Sequence, residues 1–245
     1  MCKRHVPLFL YWVENRNMNR RLNCILSHIP VRLGVIDVGT DHGYLPAELA
    51  LRGYSGNLIA SDLRPEPLAA AKRTAENNGV KDRIRFLLCD GLDDCDPDAV
   101  DTIVIAGMGG DTICGILDRA EWCMDRRYTL VLQPMTHAEV LRYWLVNNEF
   151  AIVSEDIVED SGFLYSILTA RFGGQTRLSE AELYTGAASL LRDHPLFPSF
   201  ISRQQGRLET MLRGQEAAMC SDPGRKELLE TLIRQMKEMT MYENG

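Results

Sequence analysis

The sequence predicts an α/β fold in which five parallel strands and an antiparallel hairpin form one sheet, followed by a helical hairpin. Three observations lead to this prediction. Five short apolar runs alternate with helix-like segments as far as residue 147. Two longer strand-like runs follow, separated only by Asp160-Ser161-Gly162, which is typical of a hairpin. After Gly173 the composition becomes helical, and no strand pattern returns.

Hydrophobic spacing and helix-breaking residues place the individual elements. An amphipathic helix is predicted at 20–27. The parallel strands are predicted at 33–37, 57–61, 84–88, 102–106 and 128–132, and the hairpin strands at 151–159 and 163–172. The intervening helices are predicted at 43–52, 65–78, 111–119 and 137–147, and two long C-terminal helices at 203–219 and 226–241. The predicted division is an N-terminal extension at 1–19 with Met18 as an alternative start, a sheet domain at 20–172 and a helical, coiled-coil domain at 173–245.

Composition restricts the class of protein. With 245 residues, 25% of them charged, the chain has the size and polarity of a soluble protein, and no apolar run approaches the roughly 20 residues of a membrane span. Seven cysteines without a C-x-x-C pair predict reduced thiols in a cytoplasmic protein, with neither a disulfide framework nor a structural zinc site. The net charge of −7 does not indicate nucleic-acid binding, but six cations against one anion up to Gly34 allow a local basic face.

The turn after the first strand carries two acids and two glycines. Asp37, Gly39, Asp41 and Gly43 form the pattern D-x-G-x-D-x-G, whereas a dinucleotide-binding turn would have G-x-G-x-x-G. Glycine allows a ligand to approach the backbone closely. Two carboxylates would repel a pyrophosphate but suit a cation, which favours S-adenosylmethionine with its sulfonium and ammonium groups. Ordinary strand-to-helix turns also contain acids and glycines, so the pattern alone leaves both interpretations open.

Acids also follow the second and third strands. Asp62, followed by Leu63, can accept hydrogen bonds from both hydroxyls of a ribose. Asp90 can accept from the amine of an adenine, and the adjacent Gly91 offers a backbone N–H to a ring nitrogen. Each acid alone could cap a loop, but their positions after successive strands favour one nucleoside site.

The fourth strand ends in an unusual run of small residues. Ala106, Gly107, Met108 and Gly109 are followed by Gly110. Three glycines in four residues remove side chains where reacting groups must meet, and they leave a helix N-terminus open to a carboxylate. Because ligands of such sheets bind at the carboxyl ends of the strands where the strand order reverses, we expect the ligand beside strands one and four.

Together these segments resemble the bacterial TrmK-type tRNA (adenine-N1)-methyltransferases. The matching segments are Asp37–Pro46, Asp90–Leu92, Ile105–Gly110, Leu132–Pro134, Leu141–Leu145 and Glu155–Glu159. The resemblance extends from about Arg20 to Ala170. It implies a Rossmann-like class I methyltransferase domain with a coiled-coil C-terminal domain, which uses S-adenosylmethionine to methylate N1 of an adenine in the D arm of tRNA. The chain departs from the family at Met135, where asparagine is usual, and at Asp62, where glutamate is frequent.

Methylation at N1 needs no deprotonated nucleophile, because that lone pair is free in neutral adenine. Asp41 is our candidate for the catalytic carboxylate, accepting a hydrogen bond from the adenine amine as positive charge develops. His42 and Tyr44 are candidates to stack on or bond to the base, with packing in the core as the alternative. Pro134 is a candidate base contact through the resemblance.

Three arginines are candidates for contacts with tRNA phosphates, namely Arg20, Arg21 and Arg142. For Arg142 a solvent-exposed position without a specific role is the favoured alternative. Three other functions remain open: a class I methyltransferase acting on another RNA, a protein or a small molecule; a non-catalytic RNA-binding protein; and, less favoured for lack of its glycine pattern, a nicotinamide dehydrogenase.

Overall fold

The computed structural model describes residues 19–30, 33–217 and 222–241. Its strands are β1 Gly34–Val38, β2 Asn57–Asp62, β3 Ile84–Leu88, β4 Thr102–Gly109, β5 Thr129–Thr136, β6 Phe150–Asp160 and β7 Phe163–Phe172. Its α-helices are α1 Arg20–Ser27, α2 Tyr44–Leu51, α3 Pro65–Asn77, α4 Gly110–Arg119, α5 Ala138–Asn147, α6 Glu180–Thr185, α7 Ala188–Leu191, α8 Phe197–Ala217 and α9 Pro223–Met241. Residues 1–18 of the predicted N-terminal extension, with Met18, lie outside the described residues.

The seven strands of the described residues form one sheet in the order β3-β2-β1-β4-β5-β7-β6. β1 pairs with β2, and β2 with β3, in parallel register. β7 pairs antiparallel with both β5 and β6. Ser161 and Gly162 join β6 to β7 with φ angles of 52° and 80°, as a two-residue type I′ hairpin turn requires. The Rossmann-like sheet closed by an antiparallel hairpin is therefore confirmed.

The chain divides into two compact units, and the boundary along the sequence falls between Val104 and Ile105. In the first unit β1 is buried along its whole length, and α1 begins at Arg20 because the side chain of Asn19 accepts a hydrogen bond from the backbone of Arg21. The buried carboxylate of Asp101 accepts hydrogen bonds from the backbone N–H groups of Leu33 and Gly34, and thereby fixes the start of β1.

The second unit contains two layers of structure. α4 and α5 pack beside β5, and the C-terminal helices enclose a separate apolar cluster. The cluster repeats every three to four residues along α8 and α9, which is the spacing of one helix face. Its buried members are Ile157, Ala181, Leu191, Phe197, Phe200, Ile201, Leu208, Leu229, Leu232, Ile233 and Met236. The predicted helical hairpin is confirmed, although α8 begins six residues earlier than predicted.

Two strands end three and four residues later than predicted, and both differences concern the site. β4 continues to Gly109 and β5 to Thr136, so glycines and a proline that indicate a loop in the sequence lie within strands instead. A capping box, in which Ser179 and Glu182 bond reciprocally, begins α6. The short helix α7 was not predicted. The three-part domain division stays a prediction.

A membrane-spanning helix would need a long apolar stretch, and none of the helices in the described part of the chain has one. The cysteines that the structure describes form no disulfide bonds with one another, and all except Cys24 are buried. Burial raises the pKa of Cys95 to about 11 and that of Cys114 and Cys123 to about 12, which makes these thiols poor nucleophiles.

Candidate functional site

In the first unit, backbone hydrogen bonds bring together the turns that follow β1, β2 and β3. The N–H of Thr40 donates to the carbonyl of Ser61 at 2.9 Å, which joins the β1 turn to the end of β2. The N–H of Cys89 donates to the carbonyl of Asp62 at 3.1 Å, which joins the end of β3 to the same place. The predicted convergence of these three turns is therefore present within this unit.

Asp37 is the most perturbed acid of this region. It is 7% exposed, and the hydroxyl of Thr40 donates to its Oδ2 at 2.6 Å. Burial raises its pKa to about 7, the Thr40 hydrogen bond opposes that rise, and the negative charge of Asp62 adds to it. No described residue places a cation against this carboxylate. A cationic ligand would therefore ionise it and bind to it.

Asp62 ends β2 and is 8% exposed. Its Oδ1 accepts the backbone N–H of Arg64 at 2.9 Å, with the Arg64 Nε at 3.9 Å, whereas its Oδ2 accepts no hydrogen bond from the described residues. Leu63, directly after it, is 63% exposed. A nearly buried carboxylate with an available oxygen, beside an exposed apolar side chain, has the chemistry that a ribose and its base need.

The β3 turn places Asp90 at the surface and Gly91 below it. Asp90 is exposed, its carbonyl accepts the N–H of Asp93 at 3.1 Å, and Gly91 is buried with a φ of 58°. Cys89 donates its thiol to the carbonyl of Gly91 at 3.4 Å. These contacts orient the turn, and the exposed carboxylate remains at its edge.

The β1 turn also carries an exposed flat surface. Asp41 has a φ of 46°, its side chain is 70% exposed, and its Oδ2 lies 3.7 Å from Nε2 of His42. The rings of His42 and Tyr44 stack with centroids 5.4 Å apart, and Tyr44 is 57% exposed. The packed-core alternative for these two rings is therefore wrong, because they form an exposed stacked pair.

One glycine of this turn serves packing and not ligand access. A Cβ on Gly43 would lie 2.7 Å from the Cβ of Ala71 on α3, so only glycine fits between the two helices. Our interpretation that Gly43 makes room for a ligand is therefore wrong, whereas the same role for Gly39 stays a prediction.

In the second unit, Ala106, Gly107, Met108 and Gly109 form the end of β4. Gly107 is exposed with a φ of 82°, and the other three are half-buried. Gly110, which begins α4, is buried, and a Cβ there would lie 2.1 Å from the carbonyl oxygen of His137. Glycine is thus required at position 110, because the turn between β5 and α5 packs directly against it. Packing therefore explains Gly110, and room for reacting groups at Gly107 stays a prediction.

Pro134 is buried within β5, beyond residue 132 where this strand was predicted to end. Nε2 of the buried Gln133 donates to the carbonyl of Pro134 at 2.9 Å and lies 3.7 Å from the sulfur of Met135. Met135 itself is 44% exposed. The apolar side chain at this position therefore faces outward next to the strand end.

The structure contradicts both interpretations of Arg142. It is completely buried, its Nε donates to Glu155 at 2.7 Å, and its Nη1 donates to the carbonyl of Leu183 at 2.8 Å. The other oxygen of Glu155 accepts the N–H of Ala187 at 2.5 Å. Arg142 is therefore available neither to phosphate nor to solvent. Together with Glu155 it connects α5, β6 and the turn after α6.

Of the remaining arginines, Arg20 is exposed and Arg21 half-buried, both in the first turn of α1. Sequence reasoning missed a further pair, Asp111 and His137, whose side chains are hydrogen-bonded through Nδ1 of the histidine. The two residues are 26 positions apart, so no local spacing reveals them. A histidine three residues after Pro134 was the only available signal.

Comparison with known proteins agrees with this geometry. A methyltransferase-domain family model matches residues 18–168. The tRNA (adenine(22)-N(1))-methyltransferase of Bacillus subtilis is 34% identical over 156 residues, and the matched stretch spans 64% of this chain and 66%, just under two thirds, of that enzyme.

Solved structures match over a longer stretch. The TrmK structure of B. subtilis, an m1A22 tRNA methyltransferase, superposes with a TM-score of 0.78 at 27% identity, covering 91% of this chain and 98% of that one. The protein Sp1610 of Streptococcus pneumoniae, solved in complex with S-adenosyl-L-methionine, superposes with a TM-score of 0.75 at 32% identity, covering 90% and 98%.

Proposed function

Because the chain belongs to the methyltransferase-domain family and to its TrmK type, we propose that it transfers a methyl group from S-adenosylmethionine to N1 of adenine 22 in the D arm of tRNA. The observation that carries this proposal is the carboxylate of Asp37, which is nearly buried and lies near the negative charge of Asp62. No cation among the described residues lies against it. Such a carboxylate suits a cationic nucleoside and disfavours a pyrophosphate. The position of the adenine comes from the name of the B. subtilis relative.

The residues of the first unit fit the nucleoside and the positive charges of the cofactor. We assign Asp37 and the backbone of Gly39 to the ammonium and sulfonium side. Asp62 accepts from the ribose hydroxyls through its available oxygen, and Leu63 packs against the base. Asp90 and the backbone of Gly91 bind the amine and a ring nitrogen of the adenine.

In the second unit we assign Ala106, Gly107, Met108 and Gly109 to the place where methyl donor and acceptor meet. Gly107 supports this because it is exposed and has no side chain at the end of a buried strand. The N-terminus of the ten-residue helix α4 favours a carboxylate such as that of the methionine part.

When bound, S-adenosylmethionine supplies a methyl group whose bond to sulfur breaks with the electron pair remaining on sulfur, while the N1 lone pair forms the new bond. The protein must then expose the base, align it and stabilise the positive charge that the ring acquires. We assign this last task to Asp41, which is exposed and held in a left-handed backbone conformation. The stacked rings of His42 and Tyr44 offer a surface for the unstacked base. Pro134, which is buried next to the exposed end of β5, stays our candidate for a further contact with the base.

The tRNA is held in part through its phosphates. Arg20 and Arg21 stand in the first turn of α1, and Arg20 is exposed, so both are assigned to phosphate contacts. We also propose a cytoplasmic location, since free thiols and a tRNA substrate both belong to that compartment.

Incubation of unmodified tRNA transcripts with tritium-labelled S-adenosylmethionine tests the function. We expect label in 1-methyladenosine after nuclease digestion, and none when adenine 22 is replaced by guanine. Label in a different nucleoside would support another RNA methyltransferase. Tight tRNA binding without any transfer would support a non-catalytic RNA-binding protein.

The role of Asp41 has its own test. Asp41→Asn should lower kcat about 100-fold, the usual effect of removing one electrostatic stabiliser of a transition state. The Kd for S-adenosylhomocysteine, measured by calorimetry, should change less than about twofold, because Asp41 is assigned to the base and not to the cofactor. Asp82→Asn, at an exposed acid of the same unit, is the control. Full turnover in Asp41→Asn would remove Asp41 from the mechanism.

A further inference from the structure

The Asp111–His137 pair lies beside the glycine-rich end of β4. The carbonyl oxygen of His137 occupies the space that a side chain on Gly110 would need, and Thr136 Oγ1 lies 3.1 Å from where a Cβ on Gly109 would be. The turn that begins α5 is therefore in direct contact with the turn that begins α4. This contact places His137 next to the residues assigned to the reacting groups.

The side chain of His137 does not serve its own helix. His137 is the N-cap of α5, yet its side chain makes no capping hydrogen bond and is directed to Asp111 instead. Its φ is 52°, a conformation that non-glycine residues rarely adopt. The side chains of His137 and Asp111 are 53% and 63% exposed. A rigidly oriented imidazole is thus presented to the surface.

The hydrogen bond also decides which nitrogen is available. Because the Asp111 carboxylate accepts the proton on Nδ1, the lone pair of the neutral imidazole lies on Nε2. The same contact holds the pKa of Asp111 below its ordinary value, so the carboxylate stays ionised. The pair therefore offers an acceptor at Nε2, in the way that an aspartate orients a histidine in other enzymes.

We propose that His137 contacts the target adenine, with Nε2 accepting a hydrogen bond from the exocyclic amine, and that Asp111 is the residue that positions it. The inference rests on the proposed function. The amine becomes a stronger donor as the ring gains charge during transfer, so the contact favours the transition state over the ground state. Guanine carries an oxygen at the same ring position, which an acceptor repels. Met135, where the family usually has asparagine, offers no comparable polar group.

The amine of adenine has two hydrogens, so a contact from His137 does not exclude the one assigned to Asp41. The decisive experiment pairs enzyme variants with a substrate that lacks the amine. Transcripts ligated from synthetic halves carry either adenosine or purine riboside at position 22, and single-turnover rates are measured for both. The weaker intrinsic reactivity of purine riboside cancels when the two rates are compared between variants.

We expect His137→Gly to reduce the preference for adenosine about tenfold. This substitution removes the imidazole, and glycine adopts the positive φ of this position without strain. His137→Asn keeps an acceptor oxygen and tolerates the backbone conformation, so it should retain part of the preference. His194→Asn is the matched control, since His194 pairs with Asp156 at 2.8 Å elsewhere in the same unit. An unchanged preference in His137→Gly would overturn the proposal.

Asp111→Asn tests the positioning role and does not depend on His137→Gly folding. Imidazole nitrogen chemical shifts should show the Nδ1–H tautomer in the unaltered protein and a mixture in Asp111→Asn. The preference for adenosine should fall in Asp111→Asn. In the His137→Asn background, adding Asp111→Asn should cause no further fall, because the amide of asparagine has no tautomer for Asp111 to fix. Full preference in Asp111→Asn would contradict the assignment. Failure of the unaltered enzyme to methylate the adenosine transcript would instead refute the proposed function.

Discussion

Two buried carboxylates of this protein have opposite surroundings. Glu155 is held by the guanidinium of Arg142 and by the backbone N–H of Ala187, so its charge is compensated inside the protein. Asp37 is nearly as buried, but it has a hydroxyl and another acid, Asp62, as its neighbours. A buried charge without a cation is costly.

This difference between Glu155 and Asp37 distinguishes a carboxylate with a structural role from one with a functional role. The Arg142–Glu155 pair connects α5, β6 and the turn after α6, and its position leaves no room for a ligand. Asp37 keeps an electrostatic cost that folding does not remove, which is expected where a bound cation removes it. An acid that is buried and uncompensated therefore indicates a site, whereas a buried ion pair indicates packing.

The largest effect should come from breaking the compensated pair. Arg142→Met leaves Glu155 buried without its cation and should lower the free energy of unfolding by about 3–5 kcal/mol, measured by urea denaturation. One nitrogen of Arg142, Nη2, is buried without a partner, so the native pair already carries a small penalty of its own.

Two variants sharpen this result. Arg207→Met removes a more exposed pair with Glu139 and should cost about 1 kcal/mol or less. Arg142→Met combined with Glu155→Leu removes both charges and should recover most of the loss. A loss in the double variant as large as that in Arg142→Met would mean that packing, and not charge, makes Arg142 necessary.

The sequence predicted one of these regions and not the other, for a physical reason. Asp37 and Asp62 stand in the last two residues of their strands and Asp90 stands just after β3. Parallel strands bring these ends together, so local sequence contains the information. Arg142 stands on a helix face whose burial depends on Leu183 and Ala187, about 40 residues later. The Asp111–His137 pair depends in the same way on the crossing of two turns. The ends of β4 and β5 were placed too early because glycine and proline usually indicate loops.

The second prediction concerns the uncompensated acid. The pKa of Asp37 is raised to about 7, so between pH 4 and 7 the folded protein retains a proton that the unfolded chain has lost. Stability contributed by this group therefore falls as pH rises through that window. Asp37→Asn removes the titration and should be more stable than the unaltered protein by about 2–4 kcal/mol at pH 8, with no advantage at pH 4.

Thermal unfolding of both proteins across this pH range measures the effect. The same variant should bind S-adenosylhomocysteine, which retains the ammonium, more weakly at pH 8. Asp98→Asn, at an exposed acid of the first unit, should follow the unaltered protein at every pH. A parallel pH dependence in Asp37→Asn would show that Asp37 is already compensated in the folded protein.

The third prediction tests whether Asp62 binds ligand or only supports its turn. Asp62→Ala removes two charge-assisted hydrogen bonds to a ribose and should raise the Kd for S-adenosylhomocysteine about 10–100-fold. Asp62→Glu, which restores the longer side chain frequent in the family, should bind nearly as well as the unaltered protein. If both variants lose binding equally, an aspartate is required at position 62 for its hydrogen bond to the backbone of Arg64, and not for the ribose.

The smallest effect belongs to two cations at the protein surface, the exposed Arg20 and the half-buried Arg21. Arg20→Ala and Arg21→Ala should each weaken tRNA binding only a few-fold at physiological salt, because exposed charges gain little from a single phosphate. Each should also lower the slope of log Kd against log salt concentration by about one, as expected for one lost phosphate contact. Arg73→Ala, an exposed cation on α3, is the control and should leave the slope unchanged. Equal slopes for all three variants would remove α1 from the tRNA-binding surface, while leaving the cofactor assignments of Asp37 and Asp62 untouched.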